Sequence, residues 1–259
     1  MRESRFPIVM LGLALLFLVG PFVVVFISAF SGDRTLAFPP SSFSLQWFAK
    51  VLTVEAFQAS FVTSLWLGVL STLLALLMGI PVAYALARYQ VPGAEVIRVI
   101  LTSPLILPAL MVGLALLRYF VLIGNNSISI GLLIGHTALL LPYAVRVVSA
   151  SLANLPRDIE DAAMSLGANR LQTFFRVVLP NIRGGVAAAS VLAFITSFNQ
   201  VPVSLFLTGP GVSTLPIQML LYMEYTYDPT IAALSTLLIL FSILFVLLTE
   251  RLLGISKYV

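Results

Sequence analysis

The sequence predicts an all-α membrane protein with six transmembrane helices, and three observations carry that reading. Sixty per cent of the 259 residues are apolar and 9% are charged, with a mean hydropathy of +1.08, whereas a soluble domain carries roughly a quarter of its residues charged. Six apolar runs approach or exceed the ~20 residues that cross a bilayer core: residues 7–30, 61–87, 97–120, 128–151, 184–207 and 229–253. Lysine and arginine are distributed one-sidedly, as the cytoplasmic retention of cationic loops requires. With the N-terminus inside, Arg2, Arg5, Arg88, Arg98, Arg146, Arg157, Arg170, Arg176, Arg183, Arg251 and Lys257 fall on the cytoplasmic side, and only Arg34, Lys50 and Arg118 fall outside. Both termini are therefore expected in the cytoplasm. Topology accounts for the net charge of +4, so the charge gives no reason to expect a nucleic-acid partner.

The first run follows Arg2 and Arg5 and ends near Ile27, Ser28 and Ala29, which also resembles a secretory signal. Its apolar length exceeds that of a signal core, and it is read as a span. The exterior segment at 31–60 turns at Pro39-Pro40 and then becomes amphipathic around Trp47 and Phe48. Trp47, Tyr222, Tyr225 and Tyr227 suit the headgroup zone, where an aromatic body and a polar tip are both satisfied. Spans two and three are joined by a short Pro92-Gly93 turn, and span three contains Pro104 and Pro108, each of which removes a backbone donor and kinks the helix. Span four carries Pro142 and His136, the latter read as a hydrogen-bonded packing residue. Span five opens with small residues at 184–190, which favour close helix approach, and is interrupted by Pro202. The apolar stretch 215–222 suggests a short re-entrant or interfacial helix. Glu224 and Asp228 are read as solvated, with a cationic docking partner as the alternative. No linker or repeat divides the chain, so residues 1–259 are expected to form a single transmembrane domain. Cysteine is absent and His136 is the sole histidine, so neither a metal site nor a thiol nucleophile is expected.

Residues 156–180 form the polar stretch between spans four and five. Ile159, Ala162, Ala163 and Leu166 recur at i, i+3, i+4 and i+7, and so do Leu171, Phe174, Phe175 and Val178, which predicts two short amphipathic helices. Gly167 between them supplies the left-handed conformation that ends a helix without steric penalty, and Asn169 is placed to cap the second. Ile159 to Leu166 makes a mostly apolar knob: Ala162 and Ala163 are small enough for close docking, and Glu160 and Asp161 are placed to meet arginines at the rim of a partner's cleft. An alternative is that Asp158 and Asp161 form only a variant capping box.

Asp161-Ala162-Ala163, Gly167 and the closing Leu179-Pro180 resemble the cytoplasmic coupling loop of ATP-binding-cassette importer permeases of the type I fold. From Pro156 onward, with LTGPG at 207–211 and LPIQM at 215–219, the chain resembles the second permease of the spermidine/putrescine class. The resemblance implies an inner-membrane transport subunit that works with a second permease subunit, a cytoplasmic ATPase dimer and an extracytoplasmic solute-binding protein, with Glu160, Asp161, Ala162, Ala163, Leu166 and Gly167 coupling it to the ATPase. Two departures matter. Asp161 stands where the family usually has Glu, and the acidic pair of the polyamine permeases is replaced in span five by Asn199 and Gln200.

Thr196, Ser197, Asn199 and Gln200 are candidate solute-pathway residues, since polar groups in a span cost free energy unless they find partners or line a hydrated path. Neutral amides point to a solute less cationic than a polyamine, such as a zwitterionic amino-acid derivative or an opine; the alternative is an interhelical hydrogen-bond pair. No GxxxxGK[ST] phosphate loop is present and the only lysines are Lys50 and Lys257, so the chain needs no cofactor of its own, and ATP and Mg²⁺ are expected on the partner ATPase. An intramembrane enzyme would need a reactive cluster, and a gradient-driven transporter would need membrane-embedded acids; neither is visible in the sequence. Whether the permease pairs with a different subunit or with its own copy is left open.

Overall fold

The computed structural model describes residues 6–124 and 127–253; Arg2, Arg5 and Lys257 of the topology argument lie outside them. Every regular element among these residues is helical. The elements are α1 (Phe6–Ala29), α2 (Gln46–Thr53), α3 (Glu55–Arg88), α4 (Ala94–Ile106), α5 (Ala109–Leu122), α6 (Ile128–Ala153), α7 (Asp158–Ser165) and α8 (Arg170–Thr173), then a π-helical turn at Phe174–Val178, and α9 (Leu179–Asn181), α10 (Arg183–Phe198), α11 (Ser204–Leu207), α12 (Leu215–Tyr225) and α13 (Thr230–Leu253).

Four helices are long and apolar enough to cross a membrane uninterrupted: Phe6–Ala29, Glu55–Arg88, Ile128–Ala153 and Thr230–Arg251. Six spans result if each of two bent pairs counts as one: Ala94–Ile106 with Ala109–Leu122, bent by 104°, and Arg170–Asn181 with Arg183–Phe198, bent by 70°. Two expected spans therefore differ from simple rods. Span three breaks where Leu107 leaves the helix and Pro108, lacking an amide proton, starts α5, while Pro104 is tolerated inside α4. The second bend falls at Ile182, between α9 and α10; α10 ends at Phe198, short of the expected span end, and an irregular stretch around Pro202 separates it from α11.

The chain forms two compact units. The first comprises Met1–Ala59 and Gln218–Leu244. Helix α1 is apolar on every face and leaves nearly all its side chains exposed, the pattern of a helix solvated by lipid. Helix α2 buries Trp47 and Val51, so Trp47 is a packing residue here and not the interfacial anchor its composition suggested; Tyr225 and Tyr227 remain exposed. Asp228 also departs from expectation. It is buried and accepts from Lys50 Nζ at 2.6 Å, from the Tyr222 hydroxyl at 3.2 Å and from the Thr230 amide at 3.0 Å. An acid on the last residues before a helix gains both from the free amides and from the dipole, and Lys50 neutralises it.

The second unit, Ser60–Ile217 with Phe245–Val259, holds the main core. Ala75, Leu76 and Ala83 of α3, Leu140, Ala144, Val148 and Leu152 of α6, and Ala189 and Ala193 of α10 are buried against one another. Small residues set the spacing: a Cβ on Gly79 would lie 2.8 Å from that of Ala144, so α3 and α6 touch nearly backbone to backbone, as small residues permit. A second cluster, with Leu67, Phe120, Leu132, Leu139, Val203 and Leu207, seats the irregular stretch. There a Cβ on Gly113 would lie 3.0 Å from Val203 Cα, and one on Gly135 would lie 2.7 Å from Leu207.

Candidate functional site

The 156–180 loop folds as its periodicity predicts through Gly167 and then adds a feature. Helix α7 ends in a left-handed glycine: Gly167 has φ +91°, its amide donates to Met164 O at 3.0 Å, and the Ala168 amide donates to Ala163 O at 3.1 Å. Two orphan carbonyls are satisfied by this reversal. Asn169 caps the second helix through Oδ1, which accepts from the Gln172 amide at 2.9 Å, and Gln172 Oε1 returns the bond to the Asn169 amide at 2.9 Å. The spacing of Asn169 and Gln172 is a legible capping-box signature. At the start of α7 the proposed Asp158–Asp161 capping box does not form; Arg157 occupies the cap position and no side chain caps it.

The apolar knob is left uncovered by the described residues. Leu166 is 90% exposed, and Ile159, Ala162 and Met164 are also exposed. Such a tip is costly in water unless something covers it. Beyond Gly167, Leu171 and Phe175 are exposed while Val178 is buried, and the Phe174 ring packs 4.9 Å from that of Tyr84. The π-turn at Phe174–Val178 shifts the register after Phe174, which the 3.6-residue spacing did not reveal.

Glu160 departs from its expected place at the rim. It is 7% exposed and faces the end of α3. Its Oε1 accepts from Arg88 Nε at 2.6 Å and Oε2 from the Tyr84 hydroxyl at 2.8 Å, while Arg88 Nη2 reaches Leu155 O at 2.8 Å and Arg157 Nη2 reaches Ala87 O at 2.8 Å. A carboxylate leaves water only for a paired and hydrogen-bonded place, and here two donors supply it. Glu160 therefore anchors the loop to the membrane helices, with Arg88 and Tyr84 as partners that sequence reasoning did not connect to it. Asp161, one residue on, is exposed and lines a shallow pocket shared with Glu160, Tyr84, Arg88 and Arg170.

The four span-five candidates separate. Asn199 ends α10, is exposed, and its Nδ2 donates to Ile195 O at 3.1 Å; Gln200 is half-buried. Thr196 bonds back to Leu192 O at 2.7 Å within its own helix. Ser197 is buried, its Oγ lying 2.8 Å from His136 Nδ1 and 3.0 Å from Ser71 Oγ; His136 Nε2 lies 2.9 Å from Ser204 Oγ. One proton order satisfies every atom. Ser71 donates to Leu67 O at 2.6 Å, so Ser197 must donate to Ser71, a neutral His136 ring donates from Nδ1 to Ser197, and Ser204 donates to Nε2. His136 is thus the packing residue the sequence suggested, and Ser197 belongs to this sealed chain instead of facing a path. The chain pins α3, α6 and α10 to α11, and so fixes the irregular stretch that carries Asn199 and Gln200.

Known proteins share both sequence and fold with this chain. It is 29% identical over 244 residues to the putrescine transport system permease protein PotI of Escherichia coli K12, covering 92% of this chain and 86% of that one. It is 27% identical over 230 residues to the spermidine/putrescine transport system permease protein PotC of the same organism, covering 89% and 87%. The molybdenum transport system permease protein ModB of Mycobacterium bovis is 31% identical over 243 residues, covering 86% and 91%. Among solved structures, a bacterial ABC transporter for the acidic polysaccharide alginate aligns with a TM-score of 0.68 at 20% identity, covering 100% of this chain and 98% of that one. The alginate transporter in complex with its alginate pentasaccharide-bound periplasmic protein gives a TM-score of 0.75 at 17% identity, covering 96% and 94%. The fold is that of ABC importer permeases. Residues 75–256 match the family model of the binding-protein-dependent transport system inner membrane component, and the chain belongs to that family: it is a multi-pass inner-membrane transport subunit, not an enzyme.

Proposed function

We propose that the chain forms half of the solute pathway of an ATP-driven importer and is moved by a cytoplasmic ATPase dimer that grips α7. The observation that carries this reading is the exposed knob of Ile159, Ala162 and Leu166 on a helix whose opposite face is tied to α3 through Glu160 and Arg88. A handle must be bare where it is held and rigid where it is fixed, and α7 has both properties. ATP and Mg²⁺ then reside on the ATPase, with both termini and the loop on its side of the membrane. A second permease supplies the other half of the pathway, and an extracytoplasmic binding protein delivers solute. Closure of the ATPase pair draws the coupling helices together, and the segments around Asn199 open outward.

The solute is small, polar and amine-containing. Similarity to putrescine and spermidine/putrescine permeases supports that class, and the similar identity to a molybdenum permease shows that relatedness at this level spans unlike solutes. The neutral amides of Asn199 and Gln200 favour a zwitterionic amino-acid derivative or an opine over a polyamine.

The test is ATP hydrolysis and uptake measured side by side on the reconstituted complex. Gly167→Val strains a φ of +91° by roughly 1–2 kcal/mol and redirects the knob, and Asp161→Lys inverts the charge beside it. Both are expected to lower solute transported per ATP hydrolysed by at least about tenfold, a difference of ~1.4 kcal/mol. Normal coupling in both variants would overturn the reading.

A further inference from the structure

A cavity of about 480 Å³ opens where the last turn of α3, the middle of α4 and the second half of α6 meet. Its volume lies within the ~300–1,000 Å³ typical of small-molecule sites. Three guanidinium side chains line it, those of Arg88, Arg98 and Arg146, together with the hydroxyl-bearing Thr102 and Ser149 and apolar walls that include Leu101 and Val145.

The charges do not cancel within it. Arg88 is neutralised by Glu160, and Arg98 pairs at 2.7 Å with Glu95 on an exposed face; neither carboxylate lines the cavity. Arg146 has no hydrogen-bond or ion-pair partner among the described residues. It stands seven residues before the end of the membrane-spanning α6, about 10 Å along the axis, a depth from which an arginine reaches the headgroup layer. A cation at that depth is costly without a counter-charge. An ordinary topological anchor would extend alone into water; Arg146 instead shares a hollow with a second arginine and the Ser149 hydroxyl, which is also without a partner among the described residues. The lining combines mostly apolar walls with guanidinium and hydroxyl donors, the combination an amphiphile needs.

We propose that this cavity binds the phosphate of an anionic phospholipid, with Arg146 as its principal partner, Arg98 and Ser149 as secondary donors, and the acyl region lying along Leu101 and Val145. The occupant is lipid and not a soluble anion because the walls are mostly apolar and α4 and α6 both belong to membrane-crossing segments. The inference requires only that the chain sit in the bilayer and is independent of how α7 meets its ATPase.

Native mass spectrometry of the assembled transport complex, titrated with phosphatidylglycerol, phosphatidylethanolamine or inorganic phosphate, tests it. Phosphatidylglycerol is expected to be retained, with Arg146→Gln weakening retention roughly fivefold, the worth of one arginine at an anionic surface, and Arg146→Lys restoring most of it. Phosphatidylethanolamine retention should be the same in all variants, and millimolar inorganic phosphate should not displace the lipid. Arg98→Gln, whose charge is already partly met by Glu95, is the second variant and should weaken retention about twofold to threefold even if Arg146→Gln fails to assemble. Equal phosphatidylglycerol retention in wild type and variants would overturn the proposal. So would displacement by inorganic phosphate, which would mark a free-anion site, or a complex that assembles with Arg146→Lys but not Arg146→Gln and retains no phosphatidylglycerol, which would mark a carboxylate of a partner subunit as the counter-charge.

Discussion

The exterior ion pair shows how single residues set the local stability of the first unit. Burial works to raise the Asp228 carboxyl, but hydrogen bonds from Lys50 and Thr230 outweigh it and hold the group below the usual carboxylate range. The Asp228 hydrogen bond pushes Lys50 above its ordinary value against a smaller desolvation effect, with Tyr222 adding to the rise. A lowered carboxylate contributes stability above its unfolded value of about 3.9 and loses it as pH falls through the folded value; a raised lysine contributes below about 10.4 and loses it as pH rises through its own folded value. The pair is therefore complete between roughly pH 4 and pH 10. Asp228→Asn is expected to lower stability at pH 7 by roughly 1–2 kcal/mol, a figure reduced by solvent screening at the partly exposed Lys50. The thermal-unfolding gap between wild type and variant should stay constant from pH 7 down to about 4 and narrow only below it, as pH falls through the lowered folded value of Asp228; a gap that does not narrow there would show that charge is not its source. Asp228 was legible as an acid before the last span but not as a buried one, because its partner Lys50 lies 178 residues away and no local pattern announces that pairing.

At the scale of elements, the loop of residues 156–180 is held by side chains from a different helix. Removing Arg88 leaves the Glu160 carboxylate buried beside a single hydroxyl, and breaking a buried pair in this way costs roughly 3–5 kcal/mol. Arg88→Ala is expected to loosen α7 from α3, seen as faster amide hydrogen exchange across Asp158–Ser165 with little change in α6. Arg88→Met combined with Glu160→Gln, which removes both charges together, should restore more than half of the protection; unchanged exchange in the single variant would show that α7 is held by something else. The sequence made the amphipathic faces, the hinge at Gly167 and the cap at Asn169 readable because each depends on neighbours within four residues. It placed Glu160 on the wrong side because the carboxylate's orientation is decided by Arg88 and Tyr84, more than seventy residues away. The π-turn at Phe174–Val178 also escaped, since no residue spacing signals its wider hydrogen-bond loop; it sits where Phe174 packs on Tyr84, ninety residues away in sequence.

For the whole molecule, hydropathy counts apolar residues and is blind to continuity. That is why six runs were legible while the 104° and 70° bends were not. Pro104 and Pro108 marked the break in span three and Pro202 the irregular stretch after α10, where Gly113 and Gly135 let Val203 and Leu207 approach closely, whereas the 70° bend falls at Ile182, between α9 and α10. The end of α10 exposes Asn199 while the His136, Ser197 and Ser204 chain holds the backbone beneath it, so on the proposed solute path changes at Asn199 and Gln200 alter the charge met by a solute with little effect on the scaffold. Replacing both by acids, Asn199→Asp with Gln200→Glu, should therefore shift selectivity toward cations. Each new charge facing a solute cation about 4 Å away in a hydrated path contributes about 1 kcal/mol, or roughly fivefold. The readout is the ratio of putrescine uptake to uptake of a zwitterionic amino acid in the reconstituted complex. Because the same binding protein delivers solute to wild type and variant, a change in that ratio reports the permease. A rise of about fivefold or more places these residues on the solute path, and an unchanged ratio with uptake intact assigns them to helix packing.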